Sequence, residues 1–314
     1  MNKKLDVVAL GELLVDMAEG QPSGQGNMTF EACPGGAPCN VLALLSKAGM
    51  KTAFIGKVGD DFLGHMLAET IQSVGISAKG LTYDGNVKTT LAFVHKKPDG
   101  DRDFSFYRNP GADMMLTEDE VDEALISSAK IFHFGTLSMT AEGVRAATKK
   151  AVRIARDQGC LISFDPNLRE PLWASLDQAR EQMLWGLKNC DILKISDNEV
   201  EFLTGQSDMT KGFEAIRALT SARFVFVTLG KDGSMGWAGG QVVSAPGVRM
   251  ESVVDTTGAG DTFMGCALYY ILTHGTDLSD AQVTELLEFA NGKAALITQV
   301  KGALKVMPEI NGCR

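Results

Sequence analysis

LDVVALGELLVDMAEGQPSGQGNMTFEACPGGAPCNVLALLSKAGMKTAFIGKVG, from Leu5 to Gly59, carries the pattern on which the fold turns. LDVVALGELLVD is an apolar run of strand type, APCNVLALLSKAGM has helical spacing, and KTAFIGKVG is the next strand. Strand, helix and strand at this spacing form a βαβ unit with a right-handed crossover on a mostly parallel sheet. The rest of the chain repeats the unit. DFLGHMLAETIQSVG, EGVRAATKKAVRIARDQG and ASLDQAREQMLWGLKNC read as helices between the strands KIFHFGTLS, LISFDPN, DILKIS and RFVFVTLG. These strands are near-continuous hydrophobic runs, as expected when helices cover both faces of a sheet.

Two stretches depart from the pattern: about 18–32 (AEGQPSGQGNMTFEA) and 88–108 (KTTLAFVHKKPDGDRDFSFYR). Both are more polar, and the second alternates like a hairpin, with KPDGD, Lys97 to Asp101, as its turn. They are expected to form a small β-flap projecting from the body. No internal repeat or long linker divides the 314 residues, so residues 1–314 are read as one unit.

Acidic residues outnumber basic ones by 39 to 30, a net charge of −9, and no Lys/Arg block offsets it, so nucleic acid is not an expected partner. The six cysteines are scattered without a CxxC pair, which points to free thiols in a reducing compartment, the cytoplasm. Asp6, Glu12 and Asp16 interrupt the first apolar run, so it reads as a strand rather than a leader. No apolar run approaches the roughly 18 residues of a membrane span.

Polar and glycine-rich clusters follow the strands, on the rim where open α/β sheets bind ligands: Asp16, PGGAPCN, DPNLR, SDNE, TLGKDG and DTTGAGD. In the last of these, Gly258–Ala259–Gly260 opens a helix whose free N–H groups favour an anion, with Asp261 set beside it as a carboxylate that the helix dipole keeps ionised. A base next to an anion site suits phosphoryl transfer. An aspartate N-cap with a turn glycine would leave the same residues, so the cluster gains weight from its neighbours. Thr228 in TLGKDG suits a phosphate contact, though a β-turn uses the same residues. Asp16, Gly36 and Asn40 together form a polyol-type set of donors and acceptors, with an ordinary helix start as the competing reading of Asn40. Asp165 and Glu199 are candidate water-mediated magnesium partners and Arg169 a phosphate or sugar clamp; each taken singly also reads as a solvated loop charge. There is no GxxxxGK[ST] and no GxGxxG after the first strand, so neither a P-loop nor a dinucleotide site is indicated.

PGGAPCN, VGDDFLGHML and DTTGAGDTF, in this order and at this separation, resemble the ribokinase-like (PfkB) sugar kinases, from the first strand to about Lys301–Ala303. FYRNPGADMML, SFDPNLREPLW and KISDNEVEFLTG are similar to the fructokinases within that family. The resemblance implies an α/β fold, a three-layer αβα sandwich on a mostly parallel sheet with a small β-sheet lid. It implies ATP-dependent phosphorylation of a sugar hydroxyl, with Asp261 as base and Gly258, Ala259 and Gly260 as anion hole. Asp16, Gly36, Asn40, Arg108, Asn167 and Arg169 match sugar or phosphate contacts. Ser196, Thr228, Gly230, Gly233, Gly260 and Asn291 match the nucleotide site, Ser196 standing where many relatives have Asn. Glu199 matches the acid linked to Mg²⁺ through water; Asp255 and Thr257, with carbonyls near Ile297, Val300 and Gly302, match a monovalent-cation (K⁺) site. It also implies a lid that pairs in a homodimer. Fructose is the expected acceptor, with 2-keto-3-deoxygluconate, an aminoimidazole riboside or ribose as alternatives, and a non-catalytic sugar-binding relative as the reading from another class.

Overall fold

The computed structural model describes residues 3–96 and 102–310. The turn expected at Lys97–Asp101 lies outside them. The chain runs β1 (Leu5–Leu10), β2 (Leu14–Glu19), β3 (Phe30–Gly35), α1 (Ala37–Lys47), β4 (Thr52–Gly59), α2 (Phe62–Ser73) and β5 (Ile76–Asp84). Next come β6 (Leu91–Lys96), β7 (Arg102–Tyr107), α3 (Glu123–Ser127), β8 (Ala129–Gly135), α4 (Glu142–Asp157), β9 (Leu161–Asp165), α5 (Leu176–Lys188) and β10 (Ile192–Ser196). The last part holds α6 (Asp197–Thr204), α7 (Met209–Leu219), β11 (Phe224–Thr228), β12 (Gly233–Trp237), β13 (Val243–Pro246), α8 (Ala259–His274) and α9 (Asp280–Ile297).

Among the described residues, nine strands form the central sheet in the order β13-β12-β11-β10-β9-β8-β1-β4-β5. Pairing is parallel from β11 through to β5; β12 pairs antiparallel with both β11 and β13, so among these strands β12 alone runs in the reverse direction. Alternation along each strand splits the core in two. Val7 and Ala9 of β1 join Phe224 and Phe226 of β11 against α1, α8 and α9; Val8, Leu10, Val225 and Val227 face α4 to α7. A strand with both faces buried must read as continuously apolar, which is the pattern seen in the sequence.

β3-β2-β6-β7 form a separate four-stranded sheet, the lid. Its strands correct two expectations. The run LDVVALGELLVD is two strands in two sheets, because the chain turns at Gly11, whose added Cβ would lie 2.6 Å from Pro38 Cγ. The lid therefore begins at Leu14 rather than about 18 and its second strand ends at Gly35 rather than 32, with residues 20–29 as the connection. Asp16 consequently belongs to the lid, paired in register with Cys33 and Ala92, and does not close a central strand.

α8 is apolar on almost every side. Phe263, Met264, Cys266, Leu268, Tyr270 and Ile271 are all buried, wedged between α1 and α9. Burial of each large side chain contributes roughly 1.5–3 kcal/mol. The first turn of α8 is thus held by a rigid helix, and no helix among the described residues is long and apolar enough to cross a membrane.

Candidate active site

Gly258 is the N-cap of α8, at φ 81, and no side chain caps the helix. Ala259 N turns back to the Thr256 carbonyl at 3.3 Å, so the Gly260 and Asp261 N–H groups are the ones left for a ligand at the positive end of the dipole. A Cβ on Gly258 would stand 2.7 Å from the Cβ of Ala303. Gly258→Ala combines that clash with a left-handed backbone that costs an alanine about 1–2 kcal/mol. We expect a thermal midpoint lower by several degrees and a reduced kcat, read by a melt and by turnover; unchanged values of both would show that the turn tolerates a side chain.

Asp261 lies in that first turn and is buried, 8% exposed. Its Oδ2 accepts a hydrogen bond of 2.7 Å from Asn40 Nδ2 of α1. Asn40 Oδ1 is buried with no protein partner, as expected of an acceptor kept for a ligand hydroxyl. Burial pushes the Asp261 carboxyl up to about 6, opposed by the Asn40 bond and the Lys194 and Arg169 charges, while Asp165 adds to the rise. Desolvation is thus the largest effect on Asp261, and a carboxyl at about 6 is still mostly ionised at neutral pH.

A cleft of about 740 Å³ opens on Asp261. Asp16, Gly36, Asn40, Asn167, Arg169, Gly258 and Gly260, all singled out in the sequence, line it. Burial also raises Asp16 to about 7, opposed by Arg169 and reinforced by Asp255 and Asp261. Asn167 adopts φ 47, a left-handed conformation rare outside glycine and frequent at functional sites. Its loop is pinned by Glu199, whose Oε1 accepts from Leu168 N at 2.7 Å.

A second cleft, of about 600 Å³, shares Gly260, Val253 and Thr256 with the first. Thr228, Gly230, Gly233, Ala259 and Asn291 line it, with Val248, Met250 and Phe263 as apolar wall. The two clefts therefore meet over the first turn of α8. Asn291 lines the wall with its amide engaged: Nδ2 donates to the carbonyls of Ala245 and Pro246, and Oδ1 accepts from Ser234.

Other expected residues are placed elsewhere. Arg108 is buried behind the cleft, with Nε on Asp113 at 2.8 Å, Nη1 on Thr140 and Nη2 on the Leu137 carbonyl. Its guanidinium anchors the end of β7 to the body. Ser196 caps α6 in a capping box with Glu199, whose Oε2 accepts from Ser196 N and Oγ. Asp255 accepts from Thr257 N at 2.7 Å and from Gly302 N at 3.0 Å, and Ile297 O accepts from Val300 N. These contacts tie the end of α9 to the loop that enters α8.

Two charged lining residues were not singled out as site residues from the sequence. Glu12, 4% exposed, accepts from Ala37 N at 2.8 Å, and burial raises its carboxyl to about 7. Lys194 of β10 is buried against Asp165, Nζ to Oδ2 3.0 Å. An acid within GELLV and a lysine within the apolar strand DILKIS were the only signals, since both residues interrupt runs that are otherwise buried.

The family model described as pfkB family carbohydrate kinase matches residues 4–310. Fructokinase-2 of Solanum lycopersicum is 41% identical over 308 residues, covering 96% of this chain and 93% of the relative. Fructokinase-1 of Zea mays is also 41% identical over 308 residues, 96% of this chain and 94% of its own. The crystal structure of fructokinase with bound ATP from Xylella fastidiosa superposes with a TM-score of 0.87 at 30% identity, covering 97% of this chain and 95% of that one.

Proposed function

This chain belongs to the pfkB family of carbohydrate kinases, and from that premise we propose that it is an ATP-dependent fructokinase, making fructose 6-phosphate and ADP. It is a sugar kinase, a phosphotransferase with an alcohol acceptor and ATP as co-substrate. One observation carries the residue-level reading: a buried carboxylate, Asp261, stands where two clefts meet over uncapped helix amides. The sugar occupies the first cleft and the nucleotide the second. Asp16, Asn40, Asn167 and Arg169 hold the sugar hydroxyls, and Asn40 also orients Asp261. Asp261 takes the proton of the primary hydroxyl as its oxygen bonds to the γ-phosphorus, while the bond to the β-phosphate oxygen breaks. The Gly258 and Gly260 amides stabilise charge developing on the transferring group.

The first cleft favours a hydroxyl-rich acceptor. Glu12, Asp16 and Asp261 all face the first cleft. A neutral polyol such as fructose donates hydrogen bonds to such carboxyls. We expect fructose to have the highest kcat/KM in an ADP-release assay against ribose, 2-keto-3-deoxygluconate and an aminoimidazole riboside, by tenfold or more. Strong turnover of another acceptor with none of fructose would overturn the substrate assignment.

Mg²⁺ fits the residues as a nucleotide companion. Among the described residues no cluster of three or more His, Cys, Asp or Glu is placed to hold a metal directly. Glu199 and Asp165, whose Oδ1 is buried without a protein partner, suit an ion that keeps its waters. When bound, Mg²⁺ supplies neutralisation of phosphate charge. A K⁺ at Asp255 and the carbonyls of Ile297, Val300 and Gly302 would reinforce the tie already made by the Asp255 amide bonds.

The lid covers the sugar and excludes water. Its outer face carries a row of aromatics, Phe30 to Phe93 and Phe93 to Tyr107, each with ring centroids 5.1 Å apart, and Tyr107 is 67% exposed. A second copy of the chain is the partner we assign to that face, giving a homodimer. The whole chain, 1–314, acts as one kinase unit, and the free thiols suit the cytoplasm.

A further inference from the structure

We propose that Lys194 is a further catalytic residue of this kinase: its ammonium, packed against Gly260 in the first turn of α8, donates to the phosphoryl group in transit. The proposal rests on the phosphotransferase reading above. Lys194 comes from the middle of the central sheet, and its side chain is only 7% exposed. Buried lysines are rare without a partner, and Asp165 Oδ2, 3.0 Å away, supplies one. An ammonium has three donors. Asp165 takes one, and among the described residues no other hydrogen bond of Nζ occurs. The remaining donors are therefore left for whatever enters the cleft that Lys194 lines together with Gly258, Gly260 and Asp261.

The position is specific. A Cβ added to Gly260 would meet Lys194 Nζ at 2.8 Å, before any other heavy atom. The ammonium thus lies against the one glycine that lines both clefts. A phosphoryl group passing between them must cross this point. In that passage negative charge spreads over three equatorial oxygens, and helix amides on one side cannot reach all of them. Arg169 shares the cleft but donates through Nη1 to the Leu168 carbonyl. Lys194 faces the transfer point fully desolvated, where a fixed charge acts most strongly.

The chemistry balances without a change at Lys194. The acceptor hydroxyl gives its proton to Asp261, its oxygen bonds to phosphorus, and the leaving P–O electron pair stays on ADP. Lys194 keeps all its protons. A purely structural pair would instead neutralise Asp165 and clip β10 to β9, and buried pairs of that kind can be replaced by neutral groups without loss of stability.

The two roles separate in Lys194→Met, Lys194→Arg, Asp165→Asn and the double variant Lys194→Met/Asp165→Asn, assayed with ATP and fructose alongside thermal melts. Lys194→Met is expected to lower kcat by about 10²–10³-fold, the loss typical of one removed charge-stabilising donor, with the KM for fructose within about threefold of wild type. The double variant, which leaves no unpaired buried charge, regains the wild-type melting temperature, while its kcat stays well below that of Asp165→Asn alone. Lys194→Arg keeps the charge and recovers part of kcat. Removing the cation also shifts the acid limb of the pH profile upward, since Asp261 then faces Asp165 and Asp16 with only the Asn40 bond and the Arg169 charge opposing them. A kcat of the double variant within threefold of that of Asp165→Asn, or full kcat in Lys194→Met alone, overturns the proposal. A wild-type enzyme that phosphorylates no sugar overturns the kinase reading and this inference with it.

Discussion

Asp261→Asn lowers kcat by about 10²–10⁴-fold, the range for loss of a positioned general base. The substitution keeps the shape, and the new amide oxygen still accepts from Asn40 Nδ2, so α1 and α8 stay joined. Ligand binding is largely spared because the amides and the remaining sugar contacts are untouched. What disappears is the group able to take the hydroxyl proton. The wild-type pH profile carries the same signature. Asp261 must be ionised to act, and its carboxyl sits at about 6, so kcat/KM rises with pH through that region and is lost below it. Asp16 at about 7 faces the same cleft, and the limb therefore reports the coupled pair. In Asp261→Asn the residual rate should lack the part of the limb that belongs to Asp261. A variant retaining more than a tenth of wild-type kcat would remove the carboxylate from the proton transfer.

Asp16→Asn separates activity from stability in opposite directions. The Asp16 carboxyl lies on the cleft face of the lid, partly open to solvent until a sugar covers it. Two sugar hydroxyls donating to an ionised carboxylate contribute roughly 1.5–3 kcal/mol each, so replacement by a neutral amide should raise the KM for fructose by about 10²-fold or more. The sign of the stability effect follows from linkage. The folded-state value, about 7, stands above the ordinary 3.8, so the native state holds the proton more tightly than the unfolded chain. Its contribution to stability is full below the unfolded value and is lost as pH rises through about 7. Above that pH the ionised Asp16 weakens the ligand-free protein, because burial and the Asp255 and Asp261 charges oppose its ionisation. Melting curves of wild type and Asp16→Asn should nearly coincide at pH 5, with the variant more stable at pH 8. A wild type that is the more stable of the two at pH 8 would mean that Asp16 is structurally paired rather than held ready for a ligand.

The alternation of strands and helices was readable because the central strands are buried on both faces and so write uninterrupted apolar runs. The lid showed itself as a change in polarity, but its edges did not. LDVVALGELLVD is apolar from end to end, and the turn at Gly11 depends on Pro38, a residue twenty-seven positions away that only the folded chain brings alongside. The clusters DTTGAGD and PGGAPCN pointed to the cleft because glycines and small polar residues have few reasons to gather at helix starts. Arg108 shows how a local partner enters such a reading. A charged residue next to a flap suggests a ligand contact, yet its partner Asp113 follows five residues later and engages it. Lys194 and Glu12 were hidden, since a single charge in an apolar strand carries no motif; only the fold reveals that each faces the cleft.

The most direct test of the central claim is the product itself. Wild-type protein incubated with ATP, Mg²⁺ and fructose, followed by ³¹P and ¹³C NMR, should yield ADP and fructose 6-phosphate in equal amounts. ADP without a sugar phosphate, or phosphate delivered to a different acceptor while fructose is left intact, would contradict it.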